Sequence, residues 1–358
     1  MHIPSSTTKV DVRVIDTTSH IICPFDMVHE TIKGNESLSC PSFSFLVEHH
    51  SGRKLLFDLG LRKDWNNLAP PIQAYFKKTG PAVKLSVEKE VHEILGEHGV
   101  DTSTIEAIIW SHWHYDHTGN PATFGSFTSL IVGPGVKNML LPGHPSNPQS
   151  PLLDSDVAGR EVVELDFGSD KAVEVGPFNA LDYFDDGSFY ILDTPGHTIG
   201  HLSALARVTV DPPSFIMMGA DACHHSAEMR PSAALPLPSI IAPNPLKPES
   251  TVACPGSIFE HLLRDGDKTR PFYGQRFPGI LFCDPEVATQ TIEKLQEADS
   301  TGNILVVLAH DSHMSGIVDF FPKYANDFMA KGWVKRTRWR FLRDFKQALE
   351  HRAVSNNL

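Results

Sequence analysis

Apolar positions in the first third of the chain alternate with polar ones or gather in short runs closed by turn residues, which is the pattern of β-strands. Such runs cover 10–22, 43–49 and 54–59, and the turn at Ser51 and Gly52 predicts that the last two pair as a hairpin. Segment 62–84 breaks the pattern with Pro70, Pro71, Gly80 and Pro81 among Trp65, Tyr75 and Phe76, and reads as irregular or helical cover. A helix is predicted over 86–98, where Val87, Val91, Ile94 and Leu95 share one face and Glu88 and Glu90 sit near its positive end. It leads into an apolar run at 104–109 and a polar segment at 111–120. Strand patterns resume at 129–132, 161–165, 179–184, 188–192, 202–210 and 214–218. The stretch 228–255 carries Pro231, Pro236, Pro238, Pro243, Pro245 and Pro248, whose fixed φ and missing N–H groups exclude regular helix or a central strand. It is either a surface linker or an ordered loop crossing a functional face. A helix capped by Asp284, with Pro285 in its first turn, runs to about residue 298; a strand at 303–309 and a C-terminal helix at 335–349 follow.

Alternating strands and helices imply layered α/β architecture rather than a bundle or a β-sandwich. Five of the apolar runs end at or just before a group able to bind a metal or support one: Asp58, His112, His197, Asp221 and His310. Strands ending on one edge would aim all five at one spot from rigid supports.

The chain has 358 residues, 31 Lys+Arg, 43 Asp+Glu and a formal net charge of −12, a balance that argues against binding a phosphate backbone. Its apolar fraction of 41% is that of a folded globular protein, not of a disordered or fibrous one. The five cysteines, Cys23, Cys40, Cys223, Cys254 and Cys283, are scattered and form no CxxC pair, so they read as reduced thiols. There is no signal-like start and no run long enough to span a bilayer, and the expected setting is soluble and cytoplasmic. A basic run near the C-terminus, Lys331, Lys335, Arg336, Arg338, Arg340 and Arg343, is interleaved with Trp333, Trp339, Phe341, Leu342 and Phe345; an amphipathic helix packed on the fold or at a dimer contact explains it better than nucleic-acid binding.

Histidine is the outlier, with 19 residues, and six consecutive positions read His112-Trp113-His114-Tyr115-Asp116-His117. After a strand, a tight turn can point His112 and His114 one way and Asp116 and His117 another, a spacing that suits two adjacent metals. Imidazole nitrogens and carboxylate oxygens are the donors that Zn²⁺ and similar ions accept. A solvated surface loop or a satisfied core network is the alternative for such a cluster alone. His201 reads as a supporting or core histidine, His49 and His50 as solvent-facing, Cys223 as a structural thiol, and Trp113 and Tyr115 as pocket lining or plain packing.

The order of these residues resembles the metallo-β-lactamase superfamily. Its HxHxDH motif corresponds to His112, His114, Asp116 and His117, its next histidine to His197 in Thr194-Pro195-Gly196-His197, its bridging aspartate to Asp221, its last histidine to His310, and its early structural aspartate to Asp58. The resemblance implies an αββα sandwich and two zinc ions, with iron or manganese as substitutes. One ion would be held by His112, His114 and His197, the other by Asp116, His117 and His310, with Asp221 bridging. Two such ions bring a shared water toward neutral pKa and polarise a carbonyl, so attack by a metal-bound hydroxide is the expected chemistry. The context Thr198-Ile199-Gly200-His201 looks most like the branch of the N-acyl-homoserine lactone lactonases. Relatives there open small cyclic esters, and similar fungal enzymes open lactam or cyclic carbamate rings such as benzoxazolinones, a detoxification chemistry. The chain departs from the bacterial lactonases in being longer and in carrying His224 three residues after the bridging aspartate, where many have tyrosine. His224 is a candidate catalytic group that hydrogen-bonds the substrate or gives a proton to the leaving atom, alongside Asp116 at the metals.

The expectation is therefore one domain over 1–358, with a proline-rich insertion at 228–255, a C-terminal helical extension at 318–358, and 62–84 together with 228–255 as walls of the pocket. The partner would be a small lactone, lactam or cyclic carbamate, with no nucleic acid and no membrane, in a monomer or homodimer. Rival readings are a thioesterase of glyoxalase II or polyketide type, a mononuclear-iron persulfide dioxygenase, and a non-catalytic metal-binding interaction protein.

Overall fold

The computed structural model describes residues 1–28, 36–274 and 284–355, and the side chains of these up to residue 350. Seven strands form the first sheet: β1 (Val10–Pro24), β2 (Ser37–His49), β3 (Lys54–Phe57), β4 (Lys84–Ser86), β5 (Ala107–Ile109), β6 (Ser129–Val132) and β7 (Val162–Glu164), in the order β4-β1-β2-β3-β5-β6-β7. The second sheet comes from β8 (Ala172–Val175), β9 (Phe178–Asp182), β10 (Phe189–Asp193), β11 (Leu202–Val210) and β12 (Pro213–Ala220). It is completed, after a minimal ribbon of β13 (Ile240–Ile241) and β14 (Cys254–Pro255), by β15 (Ile304–Leu308), in the order β15-β12-β11-β10-β9-β8. The hairpin of β2 and β3 is present, with Glu48 opposite Lys54.

The period-2 pattern of each strand sorts its side chains between layers. In β3 and β5, Leu55, Phe57, Ala107 and Ile109 join the apolar cluster between the sheets, while Leu56 and Ile108 face the opposite way toward Ile72, Val91, Ile94 and Leu95. In β15, Leu305 and Val307 point into the inter-sheet core, and Ile304, Val306 and Leu308 meet Ile292, Leu295 and Ala298 of the helix Pro285–Ser300. Two facing sheets with helices on both outer faces make the expected αββα sandwich. Each large aliphatic or aromatic side chain buried this way contributes roughly 1.5–3 kcal/mol. No helix among the described residues is long and apolar enough to cross a membrane.

Three departures from the sequence pattern have clear causes. The helix expected over 86–98 is shorter, Val91–Glu97, because residues 84–86 pair with β1 instead and Thr18 Oγ1 takes the Glu88 and Lys89 N–H groups. Strand β8 was not anticipated; it is a mostly exposed edge strand with little apolar alternation to reveal it. The C-terminal helix expected over 335–349 is instead three pieces: Trp333–Thr337, a 3₁₀ turn at Arg340–Phe345, and Lys346–Ser355. The Arg338 carbonyl, which a continuous helix would use internally, accepts instead from Arg230 at 2.7 Å. The Arg338 guanidinium meanwhile donates to the Asp299 and Thr301 carbonyls at the end of helix Pro285–Ser300. The tighter turn then directs Phe341, Leu342 and Phe345 into one cluster with Phe25, Phe259, Phe272 and Tyr273.

The proline-rich stretch contributes Leu237 and Ile241 to that same cluster and encloses, with Phe328, Val334 and Trp339, a cavity of about 400 Å³ against the C-terminal segment. Cys23, Cys40, Cys223 and Cys254 are buried free thiols, whereas Cys283 lies outside the described residues.

Candidate metal centre

The strand ends converge. Beyond β3, Asp58 adopts a left-handed conformation, φ 60°, that turns its carboxylate back toward β5. There it accepts hydrogen bonds from the Ser111 N–H at 2.6 Å, the Ser111 hydroxyl at 2.7 Å and His117 Nδ1 at 2.8 Å. His117 is carried by the short turn Tyr115–Thr118, and its ring is thereby fixed with Nε2 facing away from Asp58. His112, just beyond β5, and His114 approach each other at 2.9 Å between Nε2 and Nδ1, and His197 Nε2 lies 3.2 and 3.0 Å from those two atoms. Pro195 and Gly196 bring His197 in after β10; Gly196 has φ 124° and lies against the Ala288 backbone. From β15, His310 donates through Nδ1 to the Pro41 carbonyl at 2.6 Å, leaving Nε2 3.1 Å from Asp221 Oδ2 and 3.4 Å from Asp116 Oδ2.

Asp221, at the end of β12, sits between the two groups. Its Oδ1 is 3.1 Å from His117 Nε2, and its Oδ2 lies 3.5 Å from His197 Nε2 and 3.8 Å from His112 Nε2. His201 is not among the converging donors: its Nδ1 donates to the Thr194 carbonyl at 2.8 Å and its Nε2 accepts the Asp221 N–H at 3.2 Å, holding the aspartate's backbone. The seven residues expected to bind metal are thus brought together as His112, His114, His197 and Asp221 on one side and Asp116, His117 and His310 on the other.

These side chains fit divalent cations. Three ring nitrogens all within 3.2 Å of one another cannot satisfy each other, since a proton on any one serves a single neighbour. A tetrahedral ion at bond lengths of about 2.0–2.1 Å needs its nitrogens roughly 3.3 Å apart, close to this triangle. His117 Nε2 and Asp221 Oδ1 are buried 3.1 Å apart with no hydrogen-bond partner, so both atoms are open to a cation. Burial pushes His112, His114 and His197 below the usual histidine range, His114 to about 3, which leaves them neutral as ligands must be. Burial also works against charge on His117 and His310, but Asp221 with Asp58 and Asp116 outweighs it, and His310 rises to about 9. Asp58, Asp116 and Asp221 form ion pairs only with histidines among the described residues, so no lysine or arginine competes for these carboxylates there.

His224 is at this site too. Its Nε2 is 3.5 Å from Asp221 Oδ2, its ring lies parallel to His310 with centroids 6.1 Å apart, and its Nδ1 faces the Glu228 carboxylate at 3.8 Å. Burial disfavours its charge, yet Glu228 and Asp221 raise its pKa overall. Glu228 escaped the sequence reading as the first residue of the proline-rich stretch, although its spacing of four from His224 was the available signal. Segment 62–84 reaches the site as helix Pro70–Thr79, whose Tyr75 and Phe76 rings pack on Tyr115 at 6.3 and 5.0 Å. Burial, with Cys23 and Asp116 nearby, pushes the Tyr75 hydroxyl up to about 12.

Other singled-out residues fall elsewhere. Trp113 packs in the outer cluster of the first sheet and edge-on against His114, and Cys223 joins the cluster under helix Pro285–Ser300. The His50 side chain is exposed, but His49 is not solvent-facing as expected: its ring stacks on Phe184 at 4.2 Å and pairs with Asp186 at 2.8 Å.

Comparison with known proteins gives the family and the fold. The model of the metallo-beta-lactamase superfamily matches residues 39–206. The chain is 42% identical over 362 aligned residues to the gamma-lactamase FDB1 of Fusarium pseudograminearum, covering 99% of this chain and 87% of that one. It is 44% identical over 241 residues to the gamma-lactamase MBL2 of Gibberella moniliformis, covering 67% of this chain and all of the other. Among solved structures, a quorum-quenching N-acyl homoserine lactone hydrolase superposes with a TM-score of 0.56 over 89% of this chain and 99% of its own, at 17% identity, a likeness of fold.

Proposed function

The chain belongs to the metallo-β-lactamase superfamily and is a metal-dependent hydrolase, and we propose that it opens a small cyclic ester, lactam or cyclic carbamate at a dinuclear zinc centre. The observation that carries this reading is the position of Asp221 between the two donor groups: Oδ1 lies beside His117, and Oδ2 lies beside His197 and His112 of one group and His310 of the other, so this one carboxylate could serve two ions. The gamma-lactamase relatives support a cyclic amide among the candidate rings. We assign His112, His114 and His197 to one ion, Asp116, His117 and His310 to the other, and Asp221 to both. Bound divalent ions supply an acidified water and a polarised carbonyl at neutral pH.

The chain's own residues supply the rest. Asp58 and Ser111 fix the His117 ring, the Pro41 carbonyl fixes His310, and His201 holds the backbone of Asp221, so these three donors are set before substrate arrives. Asp116 completes the second donor set from the helical turn. His224, with Glu228 behind its Nδ1 and its Nε2 toward Asp221, is positioned to hand a proton to the departing alkoxide or amide nitrogen. Tyr75, Phe76 and Tyr115 form an aromatic wall that excludes water and favours a flat, weakly polar ring.

Purified zinc-loaded protein assayed against lactones, lactams, cyclic carbamates and thioesters, with metal content measured in parallel, tests the proposal. Turnover of a cyclic substrate with two zinc ions per chain is the expected result. Preferential turnover of open-chain thioesters, or a single iron with oxygen consumption, would overturn it in favour of the thioesterase or dioxygenase reading.

A further inference from the structure

We infer that Asp344, in the C-terminal segment and more than thirty residues from any metal-site donor, is a positioning residue for the half of the centre that contains His310. This rests on the two-ion reading above. Asp344 Oδ2 accepts from His313 Nε2 at 2.8 Å and from His225 Nε2 at 3.1 Å. Those histidines belong to the two loops that deliver the site's late donors: His313 follows His310 beyond β15, and His225 follows Asp221 beyond β12.

The loops are also tied to each other. Asp311 accepts from His313 Nδ1 at 2.8 Å and from the Ser226 hydroxyl at 3.1 Å, and it caps the turn Ser312–Met314 through the His313 N–H. Arg230 extends the tie, donating to Ser226 Oγ at 3.2 Å and pairing with Asp299 through two hydrogen bonds of 2.6 and 2.8 Å. Ser226, Arg230, Asp299, Asp311 and His313 are all buried, as is His225.

The cluster His225, His313 and Asp344 has the composition of a third metal site, but hydrogen bonding accounts for it. His225 Nδ1 accepts the Ala227 N–H at 3.0 Å, so its proton sits on Nε2, where it is given to Asp344 and no lone pair remains for a metal. Both nitrogens of His313 likewise face carboxylates. Burial opposes charge on His313, but Asp311 and Asp344 carry it up to about 9, so the ring serves as a cation held between two aspartates. The C-terminal segment thus closes a charged clasp over the two loops. Because His310 and Asp311 are adjacent, slack in the clasp is transmitted through the backbone to His310 Nε2. His112 and His114 stand in the segment just beyond β5 and His197 in the loop after β10, outside the clasp.

The test is a Co²⁺ titration of metal-free protein followed by visible absorption, whose bands distinguish the two coordination environments. The parent is expected to take up two equivalents. D344N is expected to bind the first as the parent does and the second about tenfold more weakly, with the bands of the second site altered, and D344E to recover part of the loss. H225F keeps the aromatic contacts to Tyr273 and Phe341 while cutting one arm of the clasp, and should shift the second equivalent in the same direction even if D344N folds poorly. Parent-like second-site affinity in the folded variants, or equal weakening of both equivalents, overturns the inference. A parent that takes up only one equivalent overturns the two-ion reading and this inference with it.

Discussion

Replacing Asp58 by asparagine tests how far the metal-site histidines depend on a residue that binds no metal. Asparagine conserves volume and tolerates the left-handed conformation at this position, φ 60°. Its carbonyl can still accept the Ser111 N–H now received at 2.6 Å. Its amide then faces the Ser111 hydroxyl, which can turn to accept, and His117 Nδ1, now 2.8 Å from the carboxylate. An NH₂ opposite an Nδ1–H is a clash of donors, so His117 must move its proton to Nε2, the atom that lies 3.1 Å from Asp221 and that we assign to the second ion. The loss is one hydrogen bond to a charged, buried acceptor, on the order of 1.5–3 kcal/mol, or roughly 10–100-fold in affinity for the second ion. Zinc competition between the metal-free protein and a chromophoric chelator reads this directly. The three-histidine half should retain its parent affinity, because Asp58 reaches it only through Ser111. A variant that binds both ions within threefold of the parent would refute the reasoning.

Other outcomes follow from the same structure. Gly196→Ala should destabilise the protein by about 2–4 kcal/mol in urea unfolding, since an added Cβ would lie 2.3 Å from the Ala288 backbone nitrogen and 2.4 Å from its Cα, at a φ of 124°. An unchanged unfolding midpoint would rule out the close approach of the His197 loop to helix Pro285–Ser300. His313 is raised from 6.5 to about 9 despite burial, through Asp311 and Asp344, so it contributes stability that is complete below pH 6.5 and lost as pH rises toward 9. That contribution is on the order of 3 kcal/mol, and His313→Gln should flatten the fall in melting temperature across this window; a slope equal to the parent's would count against the clasp. His224→Phe should lower kcat far more for substrates with poor leaving groups than for activated esters, with KM little changed, whereas a uniform loss would assign His224 to binding.

The legible part of this protein is local. His112, His114, Asp116 and His117 sit within six residues, and His197, Asp221 and His310 each follow a short apolar run closed by turn residues that marks a strand, so the convergence of these side chains was visible in the chain. What escaped depends on partners far apart in sequence. No periodicity links Asp344 to His225, 119 residues away, or Arg230 to Asp299, 69 away. The expected C-terminal helix failed for the same reason, because its hydrogen bonding is rerouted by Arg230 and its apolar residues turn toward Phe25 and Tyr273. Donor atoms must be chemically specific and arise at rigid strand ends, so they leave a mark in the sequence. The groups that hold them need only supply a charge or a carbonyl at the right place, as the Pro41 carbonyl does for His310. Any residue can provide a carbonyl, and so the determinants of metal affinity in this chain are spread over segments whose sequences look like packing.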